Sequence, residues 1–105
     1  MAVEELFAAT SRSLVGRGDG TEQGKIMHST GLKTAAGKFF AFVSQGELVV
    51  KLPAERVRAL VESGEGRTFD AGKGRAMKEW VRLAPHDEAA CIAYADEARR
   101  FVAGL

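Results

Sequence analysis

The stretch Phe39-Phe40-Ala41-Phe42-Val43-Ser44-Gln45-Gly46-Glu47-Leu48-Val49-Val50-Lys51-Leu52 decides the fold. Its two apolar halves meet at Gln45-Gly46, and a two-residue hairpin turn there fixes every cross-strand pairing behind it. Ser44 then faces Glu47. One face of the hairpin reads Val43 with Leu48, Ala41 with Val50 and Phe39 with Leu52, which is a core face. The other reads Ser44 with Glu47, Phe42 with Val49 and Phe40 with Lys51. Two phenylalanines thus stand where a half-solvated hairpin places polar residues.

Working outward, Lys25 to Leu32 reads as one strand before the hairpin, reached through a glycine-rich loop from Gly16 to Gly24. Ahead of that loop, Val3, Leu6, Phe7, Thr10 and Leu14 follow helical spacing, with Glu4 and Glu5 where the helix dipole favours acid. A first helix over about residues 2–15 follows. Beyond the hairpin, Pro53 suits the first turn of a helix whose apolar stripe is Val57, Leu60 and Val61, with Gly64 or Gly66 ending it. Arg67 to Asp70 and Ala76 to Leu83 read as two more strands, joined by Gly72-Lys73-Gly74-Arg75. Pro85 opens the last helix, and Cys91, Tyr94, Ala95, Ala98, Phe101, Val102 and Leu105 hold its apolar stripe. The expected fold is α+β and two-layered, a five-stranded antiparallel sheet with helices on one face, in the order α-β-β-β-α-β-β-α.

Composition limits the functions open to such a domain. A chain of 105 residues, 46% hydrophobic and 28% charged, suits one globular domain over residues 1–105. Fifteen Lys and Arg against fourteen Asp and Glu leave a net charge of +1, far from the basic balance of a protein built on phosphate contacts. Cys91 is the single cysteine, which points away from disulfide stapling and toward a reducing cytoplasm. Met1-Ala-Val-Glu-Glu-Leu carries acid where a signal peptide carries base, and no membrane association is expected.

The motifs of Gly24-Lys25-Ile26-Met27, Gly31-Leu32, Gly37-Lys38-Phe39-Phe40-Ala41-Phe42-Val43, Gly46-Glu47-Leu48, Val50-Lys51-Leu52 and Met77-Lys78 resemble the N-terminal domain of the TfoX family of bacterial competence regulators. The resemblance runs over roughly residues 24 to 104. It implies a small two-layer domain with an antiparallel sheet, as in the related MmcQ/YjbR-like proteins, and a non-enzymatic role. It supplies no active site to carry over.

The residues themselves agree with a non-catalytic reading. His28 and His86 lack the spacing of metal ligands or of a His-based triad, so neither a metal nor a cofactor is expected. Cys91 lies on an apolar stripe and reads as a buried, inert thiol. Gly72-Lys73-Gly74-Arg75 lacks the spacing of a nucleotide-binding loop, and Arg17-Gly18-Asp19 is a chance tripeptide in a glycine-rich loop. The acids sit at helix starts and on solvated helix faces, with no pair set apart for acid/base work.

The candidate interaction residues are Phe40, Phe42, Val49 and Trp80, with Lys51 and Arg82 beside them. An aromatic patch ringed by polar groups on the helix-free face implies a regulatory or adaptor domain that contacts a protein partner or a second copy of itself. Beside an enzyme or small-molecule binder hidden in a sheet-to-loop cleft, two other readings compete. In one, Lys38, Lys51, Arg75, Lys78 and Arg82 surround stacking aromatics and the module binds nucleic acid. In the other, an N-terminal segment or the long glycine-rich loop packs over this face within the monomer and leaves no binding surface.

Overall fold

Three amphipathic helices and six short strands divide the described residues. The structure, a computed structural model, describes residues 2–26, 29–70, 74 and 76–105. Helix α1 spans Val3–Val15 and buries Leu6, Phe7, Thr10 and Leu14, the stripe its sequence spacing predicts. The Thr10 hydroxyl donates to the Leu6 carbonyl at 2.8 Å, so a polar side chain on that stripe is satisfied within its own helix.

The stretch expected to form one strand from Lys25 to Leu32 is a hairpin. Strands β1, Glu22–Ile26, and β2, Ser29–Lys33, run antiparallel, with Gly24 opposite Gly31 and Ile26 opposite Ser29. The sheet therefore has six strands rather than five. Glu22, Gln23 and Lys25 are exposed because β1 lies at the sheet edge. An edge strand solvated in this way has no apolar alternation by which to announce itself.

Strands β3, Phe39–Ser44, and β4, Glu47–Lys51, pair in the expected register, with Ala41 opposite Val50, Phe42 opposite Val49, Val43 opposite Leu48 and Ser44 opposite Glu47. Gln45 and Gly46 both take positive φ, 53° and 76°, as the twist-compatible hairpin turn requires. The face assignment of the two leading phenylalanines is corrected. Leu32 faces Ala41, but Lys33 faces Phe39, so Phe40 is the extra residue of a β-bulge. The bulge turns Phe40 into the helix-side core with Leu48, where it is fully buried, and leaves Phe39 half-buried on the opposite face.

Helix α2, Ala54–Ser63, follows Pro53 and buries Val57 and Leu60, and Gly64 ends it at φ 85°. Strands β5, Gly66–Thr68, and β6, Trp80–Leu83, are shorter than their sequence pattern suggests. Met77, expected on the β6 core face, lies outside the strand and is 40% exposed. The Trp80 amide donates to the Met77 carbonyl at 3.3 Å, so the chain turns there before pairing begins. Gly66 lets α2 seat directly on β5, since a Cβ there would lie 2.7 Å from Val81 and 3.2 Å from Leu60. Helix α3, Glu88–Ala103, starts one turn later than Pro85 implies. Asp87 caps it, its carboxylate accepting from the Ala90 amide at 2.8 Å.

Every pairing is antiparallel, and the order across the sheet is β1-β2-β3-β4-β6-β5. All three helices pack on one face. The main core between them and the sheet joins Leu6, Leu14, Leu32, Phe40, Ala41, Leu48, Val50, Leu52, Leu60, Val81, Leu83, Cys91 and Ala95. Among the described residues, no helix is long and apolar enough to cross a membrane.

Candidate functional site

The helix-free face is built from the residues that alternate with that core. Val49 on β4 sits between Phe42 on β3 and Arg82 on β6, and the next step along β4 pairs Lys51 with Trp80. Hairpin parity places Phe42, Val49 and Lys51 on one face, and strand parity puts Trp80 and Arg82 together; the pairing of β4 with β6 then joins the two groups on the same face. Phe40 is not among them, because the bulge has turned it into the main core.

The expected uncovered patch does not form. Phe42 is 1% exposed and Val49 fully buried, in a second cluster completed by Phe69, Ile26 and Trp80. Phe69 supplies the cover. Its ring meets Phe42 edge to face, centroids 5.7 Å apart at 76°, while Trp80 approaches Phe42 from another side at 5.5 Å and 59°. Such contacts suit the aromatic quadrupole. The chain thus covers its own aromatic face in this half of the sheet, but with Phe69, just after β5, and not with the N-terminal segment or long loop that the sequence suggests.

Arg82 locks the cover in place. Its guanidinium lies 5.0 Å from the centre of the Phe69 ring, donates to the Ser44 carbonyl at 3.1 Å and pairs with Glu47 at 3.6 Å. Arg67 stands directly opposite Arg82 across β5 and β6, a like-charge pair that would repel. Glu47 resolves the conflict by binding both guanidinium groups. Lys51 is similarly engaged, with its Nζ 5.9 Å from the Trp80 ring centre and 4.0 Å from the Glu79 carboxylate. Sequence reading missed Phe69 and Glu47. Arg67 and Phe69 share a strand face by period two, so a signal for Phe69 existed, but only strand order shows which aromatic it covers.

Toward β1 the face changes character. Phe39 lies over the Gly24–Gly31 pair, where an added Cβ would come within 3.0 and 3.1 Å of its ring, and Lys33 Nζ lies 5.9 Å from the ring centre. Toward the other end, a groove of about 850 Å³ opens between Lys51, Ala54, Asp70, Met77, Lys78 and Trp80. Half-buried Trp80 and exposed Met77 are its large apolar groups. Around the described part of this face, aromatic and thioether surface thus meets water with lysines beside it.

The remaining candidates are dispersed. Cys91 is fully buried, and burial pushes its thiol pKa up, against a smaller opposing effect from Thr10. His86 is exposed just before α3, and His28 lies outside the described residues, as does the Gly72-Lys73-Gly74-Arg75 loop apart from Gly74. Arg17 and Asp19 serve the fold. Arg17 pairs with Asp96 on α3 at 2.7 Å, and Asp19 accepts from the Thr21 amide and hydroxyl and pairs with Arg99 at 3.6 Å. The Thr21 hydrogen bonds chiefly hold the Asp19 pKa down. Tyr94 donates to Glu65 at 3.2 Å, and burial, with that bond, raises its pKa. Among the described residues, no three His, Cys, Asp or Glu side chains gather as a metal-holding group.

Comparison with known proteins adds nothing to this geometry: no protein family matches the chain, and neither a curated protein nor a solved structure does.

Proposed function

We propose that the chain is a non-catalytic regulatory or adaptor domain that contacts a protein partner at the Trp80 end of its helix-free face. The proposal keeps the resemblance to the TfoX N-terminal domain as its family reading. The observation that carries it is the Trp80–Met77 groove, where a half-buried tryptophan and a 40% exposed methionine border Lys51 and Lys78. Tryptophan and methionine are enriched at the centres of protein interfaces, and the flexible thioether adapts to a partner's surface. The contact is smaller than sequence reading expects, since Phe42 and Val49 are spent on Phe69.

The ion pairs favour a protein over a nucleic acid. Arg67 and Arg82 share Glu47, and Lys51 faces Glu79, so these bases of the face are already matched by acids. A phosphate-binding strip needs cations free to replace counterions.

A photo-crosslinking amino acid at position 77, with a control at exposed Arg58 on α2, tests the proposal in an extract of cells expressing the full chain. The expected result is one discrete protein adduct from position 77, absent from position 58 and lost on Trp80→Ala. Equal, diffuse labelling from both positions, or an adduct indifferent to Trp80→Ala, would overturn it. Titration with single-stranded DNA at low salt, read by the emission of Trp80, the single tryptophan, decides against the proposal if it saturates.

A further inference from the structure

We infer that the chain associates with a second copy of itself through the free edge of β1 and the adjoining face of α1. Strand β1 ends the sheet and, among the described residues, has a strand neighbour on one side only. Its helix-side residues, Gln23 and Lys25, are exposed, so α1 stops short of covering the edge. Two adjoining clefts run between α1 and this edge, sharing Ser11 and Gln23. The Ser11 Oγ is buried between them and has no hydrogen-bond partner among the described residues. An edge left in this state offers backbone donors and acceptors to another strand.

Charge selects a second copy as the occupant. On α1, Glu4, Ala8 and Arg12 lie four residues apart on one exposed stripe. That stripe is acid, small residue, base, so an antiparallel copy centred on Ala8 sets each Glu4 against the other copy's Arg12. Neither side chain has an ion-pair partner among the described residues of its own copy, and eight residues of helix, about 12 Å, keep them from each other. The strand obeys the same symmetry. A two-fold axis normal to the sheet at Gly24 pairs β1 with its copy antiparallel, opposing Gln23 and Lys25. Both centres fall together, because Ala8 and Ser11 border the same cleft as Gln23. The product is one continuous twelve-stranded sheet, six strands from each copy, with both α1 helices on the same side. The contact shares no residue with the Trp80 groove.

Sedimentation velocity over a dilution series of the full chain tests this. The wild type is expected to dissociate from dimer to monomer on dilution. Glu4→Arg alone and Arg12→Glu alone each set two like-charge pairs across the axis and should weaken association about tenfold. The double variant restores opposite charges and should recover most of that loss, which no contact within one copy can produce. A second measurement fixes the register independently: the Gln23→Cys, Lys25→Cys double variant should oxidise to a covalent dimer, and neither single variant should. A monomer up to millimolar concentration, a dimer whose affinity the charge swap does not restore, or equal cross-linking by the single variants would each overturn the inference.

Discussion

The two sides of this sheet are covered by different means. On one side three helices bury Leu48, Val50, Val81 and Leu83 in a core many residues deep. On the other, Phe42 and Val49 reach the same near-zero exposure under Phe69 and Trp80, with Arg82 stacked on Phe69. Alternation along β3 and β4 supplies both sides with apolar residues, so pattern alone does not tell which side is a binding surface. The difference lies in how much structure holds the cover. Helices are tied by a full ladder of their own backbone hydrogen bonds, whereas Phe69 is held by a backbone bond from the Met77 amide to its carbonyl at 2.8 Å, by ring contacts and by an arginine that Glu47 and the Ser44 carbonyl keep in place.

The largest effect should come from Phe42→Asp. An uncovered patch would accept this change with only a loss of association, but here the carboxylate would be buried against Val49 and Phe69 without a partner. Burial of an unpaired charge is the most costly of common substitutions. Circular dichroism should find the variant unfolded or close to it at room temperature, and a native melting curve would show that the helix-free cluster is not a core.

Phe40→Ala against Phe39→Ala sharpens the comparison at the bulge. Phe40 fills the helix-side core, so its truncation should cost about 3–5 kcal/mol in denaturant unfolding. Phe39 is half-buried over two glycines and should cost about 1–2 kcal/mol, in proportion to the apolar area it covers. The reverse order would return Phe39 to the core and remove the bulge.

Phe69→Ala should have a smaller effect than Phe40→Ala, about 2–3 kcal/mol, because its cluster of buried residues is much smaller than the helix-side core and collapses more readily around the loss. The same variant should bind a hydrophobic dye and shift Trp80 emission to the red, as Phe42 and Val49 meet water. A full-sized loss with no change in Trp80 emission would mean that the cover is as deeply held as the helical core.

Much of the fold was legible because it rests on local periodicity. The Gln45-Gly46 turn, the Ala41–Val50 to Ser44–Glu47 register, the α1 stripe, the α3 stripe from Cys91 to Val102 and buried Cys91 each follow from spacing within a few residues, whereas Leu105, expected on the α3 stripe, lies beyond the helix and is 64% exposed. The β1–β2 hairpin was not legible, since a solvated edge strand with Gly24 and Gly31 facing each other carries no apolar rhythm. The bulge at Phe40 was likewise hidden. It is set by how β2 meets β3, and a single extra residue reverses the face of everything before it.

For the candidate site, sequence by itself determined part of the helix-free face: Phe42, Val49 and Lys51 follow from hairpin parity, and Trp80 and Arg82 share parity with each other, while the bulge exchanges Phe40 for Phe39. Tertiary structure decided its exposure. Strand order puts β6 beside β4 and β5 beside β6, which carries Phe69 over Phe42 and sets Arg67 against Arg82 with Glu47 between them. Those meetings join residues some twenty to forty positions apart in the chain, as with Glu47 and Arg67 or Ser44 and Arg82. Local periodicity specifies which way a side chain points, but burial depends on what the rest of the chain brings to face it.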